Sequence, residues 1–230
     1  LENHSHRYTG MMLINPFFVA SSSAVTQILM PLTTADGFVD IKNNHAITVV
    51  GSPTISTVQS KFGAGALLVS NGNYLRIAST PTLNMSGNAP FTFECWLYII
   101  SDAGGYYGDG ILSMRTLGVY CPLVMKTASA YIGNADLTDW HTTVLAGTGE
   151  TTGVWMHYAV VCDGTNIKAY RNGVLTGSTY THPSWPSTNN FLNIGFDANG
   201  YSNTYINDVR VSSGVVYSGN FTPPSSPFTA

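Results

Sequence analysis

The chain has 230 residues, enough for one large β-sandwich or two small domains, and only 9% of them are charged, against roughly 25% in average domains. An apolar content of 44% excludes wholesale disorder. The net charge of −3 gives no electrostatic footprint for nucleic acid or an anionic membrane, so neither is an expected partner.

The first 26 residues are irregular, with an Asn15-Pro16-Phe17-Phe18 segment followed by serines at 21–23. We expect residues 1–26 to form an N-terminal arm or linker that packs on the sandwich or on a neighbour. One β-sandwich domain is then expected over residues 27–230. The apolar stretch at 11–20 is too short to span a bilayer and is interrupted by proline.

Strand signals dominate the rest of the chain, and no window keeps a helical period. The strand Trp155 to Cys162 meets Asp163-Gly164, and a following strand at 166–171 meets Asn172-Gly173. Because Asp-Gly and Asn-Gly readily adopt positive φ, both pairs favour tight hairpin turns. The segment therefore predicts a three-stranded meander that ends in a short strand at 174–176.

The remaining predicted strands are short and joined by turn residues. They lie at 27–32, 46–50, 66–69, 74–77, 91–99, 111–114, 123–126, 142–145, 192–196 and 204–212. Parallel pairing would need crossover helices, so the pattern predicts an all-β, two-sheet antiparallel jelly-roll sandwich. Prolines at 223, 224 and 227 predict an extended C-terminal tail.

The last quarter of the chain carries the most specific motifs. These are Asn193-Ile194-Gly195-Phe196, Tyr205 to Ser212, and Tyr217-Ser218-Gly219-Asn220-Phe221-Thr222-Pro223-Pro224. In this order they resemble the closing signature of laminin-G-like (concanavalin A-like) lectin/glucanase jelly-roll modules. The version ending in Asn-Phe-Thr-Pro-Pro is similar to that of bacteriophage tail, fibre and capsid-appendage proteins.

The resemblance implies a non-enzymatic module on the outer, extracellular surface of a virion. Its expected partners are a host-surface glycan and other virion proteins, in a homo-oligomer. The alternative is a purely structural capsid-decoration or appendage-assembly protein that binds other virion subunits. A glycan-processing enzyme is a third reading.

Catalysis by a glucanase of this fold requires two carboxylates close together. Glu94 is alone on its strand, between Phe93 and Cys95, and the sequence has no Gly-x-Ser-x-Gly motif. We therefore expect no enzyme, with Glu94 a hydrogen-bonded carboxylate within the sheet and His157 a packing residue. Three cysteines cannot complete a disulfide framework, and we expect Cys95 and Cys162 to be buried.

The resemblance also implies a possible calcium ion at the sandwich rim, and the candidate ligands are Asp36, Asp40 and Asp208. Asn207 stands where the family often has a second acid, and fewer charges weaken calcium binding. The alternative is that Asp36 and Asp40 are solvated loop residues and that Asp208 pairs with Arg210 or caps a turn.

Loop aromatics are the candidate ligand-binding residues, because an exposed ring stacks on the apolar face of a sugar. Trp96 and Trp155 are expected in the core. The candidates in polar or glycine-rich loops are Tyr106, Tyr107, Trp140, Trp185 and Tyr201. Since loops gather at the ends of a sandwich, we expect these rings partly exposed at one end. The alternative is that they fold back to cover the sandwich ends.

Overall fold

The computed structural model describes residues 23–70, 72–101, 110–115, 120–127, 129–143, 151–187, 190–198, 200–201 and 203–230, with backbone only at 141–143 and 200–201. It contains seventeen strands and one short 3₁₀ turn, Pro81–Leu83. The strands are β1 Val25–Met30, β2 Ile47–Val50, β3 Thr54–Ser56, β4 Ala66–Val69, β5 Tyr74–Ile77, β6 Phe91–Ile99, β7 Gly110–Ser113, β8 Leu123–Lys126, β9 Ala130–Gly133, β10 Trp140–Thr143, β11 Trp155–Cys162, β12 Asn166–Arg171, β13 Val174–Thr181, β14 Leu192–Ile194, β15 Phe196–Asp197, β16 Gly200–Tyr201 and β17 Thr204–Ser213.

Two antiparallel sheets form the body of the molecule. The eight-stranded sheet has the order β13-β12-β11-β6-β17-β4-β3, with β1 also paired to β17. The seven-stranded sheet has the order β10-β9-β8-β7-β14-β5-β2. The predicted all-β jelly-roll sandwich is thus confirmed.

The predicted meander is present as β11, β12 and β13, although β13 continues to Thr181 rather than ending at residue 176. At its second turn Asn172 has φ 47° and Gly173 has φ 77°. Both values are positive, which is what an Asn-Gly hairpin turn requires. Strands β3, β9 and β16 were not predicted, and β15 was not predicted as a strand separate from β14.

The sequence prediction placed the start of the sandwich at residue 27. Strand β1 begins at Val25, which pairs with Ser213 of β17. The expected arm lies otherwise outside the described residues, apart from residues 23 and 24, so its packing stays a prediction.

Strand β17 is bent by a β-bulge at its middle. Asn207 pairs with Trp96 and Arg210 pairs with Glu94, so two residues of β17 face one residue of β6. Asp208, within the bulge, has φ 57°. A bulge of this kind bends a strand and redirects side chains. It also marks the point where the other edge of β17 changes its partner from β4 to β1.

The core fills the space between the sheets with fully buried side chains such as Phe93, Leu97 and Ile194. Cys95, Cys121 and Cys162 are free and buried, which confirms the expectation for Cys95 and Cys162. Burial raises the pKa of all three thiols, so they are poor nucleophiles. In the described part of the chain, no helix is long and apolar enough to cross a bilayer.

The C-terminal tail covers the outer face of the eight-stranded sheet. Phe228 packs with Leu29 and Trp96, and Phe221 packs with Tyr170 and Tyr217. The tail is held by hydrogen bonds, because the backbone N–H of Phe221 donates to the Gly173 carbonyl at 2.9 Å. The tail therefore covers this face around Trp96, Tyr170 and His157.

Candidate ligand-binding face

The outer face of the seven-stranded sheet carries several polar and charged side chains, among them Arg76, Asn193 and Lys126. The strands pair in a register that aligns one residue of each in a row across the sheet. Arg76 lies opposite Asn193, and Asn193 lies opposite Ser113. The row continues through Val124 to Tyr131. Strand alternation points the neighbouring residues, such as Leu75 and Ile194, toward the other sheet. Val124 and Tyr131 of the row are themselves buried, at 0% and 8% exposure.

An ion cluster lies at the centre of this face. Lys126 Nζ lies 2.9 Å from Asp197 Oδ2, and a guanidinium nitrogen of Arg115 lies 3.7 Å from the same oxygen. The side chain of Asp197 is fully buried and that of Lys126 is 4% exposed. Ser113 donates to Asp197 Oδ1 at 3.5 Å. Buried charges of this kind are retained only when they are paired, so the cluster fixes β15 over β7.

The Trp140 patch, formed by Arg115, Tyr120, Tyr131 and Trp140, flanks the ion cluster. The half-buried ring of Trp140 lies between Tyr120, at 5.3 Å, and Tyr131, at 5.4 Å between ring centroids. The Arg115 guanidinium lies 5.2 Å from the same ring. The patch therefore offers the half-buried Trp140 and Tyr120 rings with the half-buried Arg115 side chain beside them, whereas Tyr131 is only 8% exposed.

The Arg76 patch, formed by Tyr74, Arg76, Phe191 and Phe196, lies on the other side of the row. Tyr74 stacks on Phe196 at 4.5 Å, and the Arg76 guanidinium lies 4.6 Å from the Phe191 ring centre. Arg76 Nε donates to Asn193 Oδ1 at 2.8 Å. All four side chains are half-buried. This patch is held more firmly than a surface loop, because its arginine is tied to a buried amide.

Trp140 was predicted to lie in a polar loop, and it is instead the first residue of β10. The turn ends one residue earlier, because Asn134 Oδ1 accepts the backbone N–H of Thr138 and Asp139. Of the aromatic candidates, Trp140 alone has a described, partly exposed side chain. Tyr106 and Tyr107 lie outside the described residues, and for Tyr201 only the backbone is described, paired with Phe196 in the β15–β16 hairpin.

The expectation that Trp185 is exposed is wrong, because its side chain is only 2% exposed. Its Nε1 donates to the Gly133 carbonyl at 3.0 Å, and its ring stacks on Phe91 at 6.2 Å and packs against His182 at 4.3 Å. The ring closes the core next to Phe91. A ring buried in this way cannot stack on a sugar.

Glu94 is the hydrogen-bonded carboxylate expected from the sequence. Its oxygens accept from Arg210 at 2.7 Å and from the Tyr217 hydroxyl at 2.8 Å, and lie 3.0 Å from His157 Nε2. The side chains of Glu94 and His157 are fully buried beneath the tail. Trp96 is buried, as expected, whereas Trp155 is half-buried.

The three predicted calcium ligands do not converge. Asp40 is 1% exposed rather than solvated, and its carboxylate is used within its own loop. It accepts the backbone N–H of Leu29, Lys42, Asn43 and His45 and bonds the His45 ring. In the described ranges, no group of three or more His, Cys, Asp or Glu is placed to hold a metal.

Asp36 and Asp208, by contrast, line one cavity. The alternative to calcium binding was that Asp208 pairs with Arg210 or caps a turn, and in the described structure Arg210 pairs with Glu94 instead. Asp208 Oδ2 accepts the backbone N–H of Phe228 at 2.6 Å and so anchors the tail. The residues present thus supply two of the three expected carboxylates, and calcium binding stays a prediction.

The hydrogen bonds of Asn207 explain why this position, beside Asp208, holds an amide where the family often has a second acid. Asn207 Oδ1 accepts the backbone N–H of Phe62 at 2.9 Å, while its Nδ2 donates to the Pro31 carbonyl at 2.6 Å. A carboxylate only accepts hydrogen bonds, so aspartate here could not make the second contact. Asn207 therefore joins the loop before β4 to the loop after β1.

Sequence reasoning missed the ion cluster and the Arg76 patch. Arg115, Lys126 and Asp197 are far apart in the chain, and nothing in the local pattern pairs them. One signal was available, because Arg76 and Lys126 interrupt otherwise apolar strands. Charged residues at alternate positions of such strands indicate a sheet face that does not point into the core.

Comparison with known proteins identifies the family of this architecture. Residues 69–218 match a family model described as the concanavalin A-like lectin/glucanases superfamily. No curated protein is similar enough in sequence to count as a match.

Among solved structures, the chain is similar to domain 4 of AbnA, an extracellular arabinanase from Geobacillus stearothermophilus, solved in complex with arabinotriose. The TM-score is 0.67 at 14% identity, over 84% of this chain and 95% of that domain. The receptor binding domain of botulinum neurotoxin D gives 0.64 at 14% identity, over 84% and 50%. The binding domain of Paraclostridial Mosquitocidal Protein 1 gives 0.64 at 11% identity, over 84% and 49%.

The chain spans about half the length of the two toxin domains. At these identities the structural likeness establishes the fold alone. The family model, however, covers more than half of the sequence, so the chain belongs to the concanavalin A-like lectin/glucanases superfamily.

Proposed function

We propose that this chain is a non-enzymatic glycan-binding module whose ligand lies on the Trp140 patch. The observation that carries the proposal is the half-buried Trp140 ring, held between Tyr120 and Tyr131 with Arg115 against it. An aromatic ring fixed by its neighbours presents apolar area to a sugar at little cost in side-chain entropy. The hydroxyl of the half-buried Tyr120 beside this ring provides a hydrogen-bonding group for sugar hydroxyls.

Two further observations support binding rather than catalysis. Glycoside hydrolysis needs two carboxyl groups flanking the scissile bond, roughly 5 to 9.5 Å apart. On the described part of the outer face of the seven-stranded sheet, the carboxylate of Asp197 forms an ion pair with Lys126. It is therefore not free to act as one of the two carboxyl groups. Glu94 lies on the other sheet, buried beneath the tail. The structural relative solved with arabinotriose is consistent with a carbohydrate ligand.

The finer proposal is that the module belongs to a bacteriophage virion and attaches to a glycan on the host surface. It is supported by the similarity of the closing motif, Asn220-Phe221-Thr222-Pro223-Pro224, to phage tail, fibre and appendage modules. On this proposal the chain lies on the extracellular surface of the particle as a homo-oligomer. Imaging of particles labelled with an antibody against the chain tests its location.

The second candidate is a structural module that binds other virion subunits. Two neighbouring exposed apolar residues on the edge strand β13 favour it, because Val174 is 58% exposed and Leu175 is 40% exposed. Exposed apolar patches on a folded protein often mark contacts with other proteins. A module of this kind assembles with virion proteins and binds no glycan.

An array of bacterial-surface, plant and animal glycans, including arabino-oligosaccharides, distinguishes the two candidates. We expect the wild-type chain to bind a limited set of glycans and Trp140→Ala to weaken that binding at least tenfold. A tenfold loss corresponds to about 1.4 kcal/mol, and a stacked ring contributes about 0.5 to 1.5 kcal/mol in addition to the apolar area that it buries. Trp155→Ala, a half-buried tryptophan on the other sheet, serves as the matched control and keeps the binding. Binding that survives in Trp140→Ala, or is absent in the wild type, contradicts the proposal.

A further inference from the structure

The cavity lined by Asp36 and Asp208 lies beside the β17 bulge, away from the ligand-binding face proposed above. Its volume is about 370 Å³, and the loop after β1, the loop before β4 and the C-terminal tail form its walls. A cavity of this size falls within the range of small-molecule sites, about 300 to 1,000 Å³. None of its lining residues belongs to the Trp140 patch or the Arg76 patch.

The walls of this cavity are mostly apolar. Pro31 and Ile41 contribute from the loop after β1, Phe62 from the loop before β4, and Pro227 and Phe228 from the tail. Ile41 is 49% exposed, so the cavity reaches the surface on that side. An occupant therefore needs an apolar body that replaces water along these side chains.

Two carboxylates line the same cavity. Asp208 is 1% exposed, and its Oδ1 is a buried oxygen for which the described residues provide no hydrogen-bond partner. Asp36 Oδ2 accepts from the Thr33 hydroxyl at 2.5 Å. A buried acceptor without a partner is costly, and a ligand that donates to it removes this cost.

The nearby cations are engaged elsewhere. Two guanidinium nitrogens of Arg210 lie 2.6 and 2.7 Å from Glu94 Oε1. Lys61 Nζ lies over the Trp96 ring, 3.8 Å from its centre. Neither cation forms an ion pair with Asp36 or Asp208 in the described structure, so the cavity carries two carboxylates that no protein cation directly neutralises.

We propose that this cavity binds a small organic ammonium ion, with its charged nitrogen at Asp208 and Asp36 and its apolar body against Phe62 and Phe228. A bare calcium ion suits the cavity less well, because it takes six to eight oxygen ligands. The described residues bring no three ligating side chains together. A primary ammonium head has three N–H donors, of which the two carboxylates accept two while the third faces water at the open side of the cavity. The apolar walls suit the remainder of such a ligand.

Three probes of known chemistry test the proposal at pH 7.5: phenethylammonium chloride, the uncharged 2-phenylethanol and calcium chloride. Burial, with smaller contributions from Glu94 and Asp36, raises the pKa of Asp208 to about 6 despite the Phe228 N–H and Arg210. Asp208 is therefore mainly ionised at pH 7.5. Isothermal titration gives the affinity, and NMR shifts of the Phe62 and Phe228 rings locate the ligand.

We expect phenethylammonium to bind at least tenfold more tightly than 2-phenylethanol and to shift both rings. Asp208→Asn is expected to weaken ammonium binding at least tenfold, and Asp36→Asn to weaken it in the same direction. Asp163→Asn removes a charge at the β11–β12 turn and serves as the control with unchanged affinity. If Asp208→Asn does not fold, Asp36→Asn decides the test, because its side chain lies in a partly exposed loop.

Equal binding of the amine and the alcohol overturns the proposal, as does unchanged amine binding in both cavity variants. Binding of calcium that excludes the amine also overturns it and makes the cavity a metal site. Loss of the amine site leaves glycan binding at the Trp140 patch untouched, so the two proposals fail independently.

Discussion

At the scale of single residues, the hydrogen bonding of a buried polar group determines whether that group stabilises or destabilises the fold. Asp208 is the clearest example, since its carboxylate is buried in a bulge and one oxygen lacks a described partner. Trp185 shows the opposite case, because its indole N–H finds a carbonyl and its ring fills the core. Each residue leads to a stability prediction.

Asp208→Asn is expected to raise the free energy of unfolding at pH 7.5 by about 1 to 3 kcal/mol. The folded-state pKa of Asp208 is raised from 3.8 to about 6, so the folded state binds the proton more tightly than the unfolded state. This acid therefore favours folding at low pH, and stability falls as pH rises from about 4 to 6. Asparagine tolerates positive φ and keeps an oxygen for the Phe228 N–H.

Urea denaturation of both proteins between pH 4 and pH 8, with EDTA present, measures this effect. The two stability curves are expected to approach one another near pH 4 and to separate above pH 6. A variant less stable than the wild type at pH 8 contradicts the assignment of Asp208 as a destabilising buried charge. Asp163→Asn provides the comparison for an exposed carboxylate.

Trp185→Ala is expected to lower the free energy of unfolding by about 3 to 5 kcal/mol, because the ring is 2% exposed and leaves a cavity. Trp185→Phe keeps an aromatic ring but removes the donor to Gly133, with an expected loss of about 1 to 3 kcal/mol. Chemical denaturation followed by circular dichroism measures both. Losses below 1 kcal/mol in the alanine variant contradict the buried position.

At the scale of elements, the C-terminal tail and the β12–β13 turn stabilise each other. Gly173 combines φ 77° with a position at which an added Cβ collides with the Phe221 carbonyl. The same residue accepts the Phe221 N–H through its carbonyl. The turn therefore requires glycine both for its own backbone conformation and for the approach of the tail.

Gly173→Ala is expected to cost roughly 2 kcal/mol and to release this part of the tail. Gly219→Ala is the matched control in the tail itself, because an added Cβ there meets no atom within 4 Å. Hydrogen exchange at the Phe221 amide measures the release. Equal exchange rates in the two variants contradict the proposed contact between turn and tail.

The elements also show how far sequence reasoning reaches. Strands β4, β5 and β8 were predicted with their observed bounds, because each is a compact apolar run between turn residues. The fold class followed from many such runs without helices. The order of strands within the sheets depends on distant pairings, such as that of β1 with β17, which no local pattern records.

The candidate site was harder to predict than the fold. Trp140 was selected because it follows Asp139 in a polar stretch, yet its partners Arg115, Tyr120 and Tyr131 come from three other segments. Trp185 also lies in a polar stretch, between Ser184 and Pro186, and it is buried. Polar neighbours in the sequence therefore do not decide whether an aromatic ring is exposed, because burial depends on the opposite layer of the fold.

At the scale of the whole molecule, the two sheets differ in what their outer faces offer. The tail closes the outer face of the eight-stranded sheet, over Glu94 and His157. The outer face of the seven-stranded sheet keeps half-buried aromatic and basic side chains on both sides of its ion cluster. We place the ligand on the seven-stranded sheet because of this difference between the two outer faces.

The N-terminal arm leads to a prediction about assembly. Deleting residues 1–22 is expected to leave the sandwich folded, because β1 begins at Val25 and keeps its pairing with β17. If the arm reaches a neighbouring chain, as the sequence predicts, the same deletion lowers the oligomeric state. Light scattering measures the mass and thermal unfolding measures the fold. An unfolded product shows that the arm belongs to the core.

The most direct test of the ligand-binding face is an NMR titration of the chain with whichever array glycan binds best. The account predicts shifts at the Trp140 indole, the Tyr120 and Tyr131 rings and neighbouring amides of β9 and β10. It also predicts little change at Trp96 and Trp155 on the other sheet. Shifts confined to the eight-stranded sheet or to the tail, or none near Trp140, contradict the account.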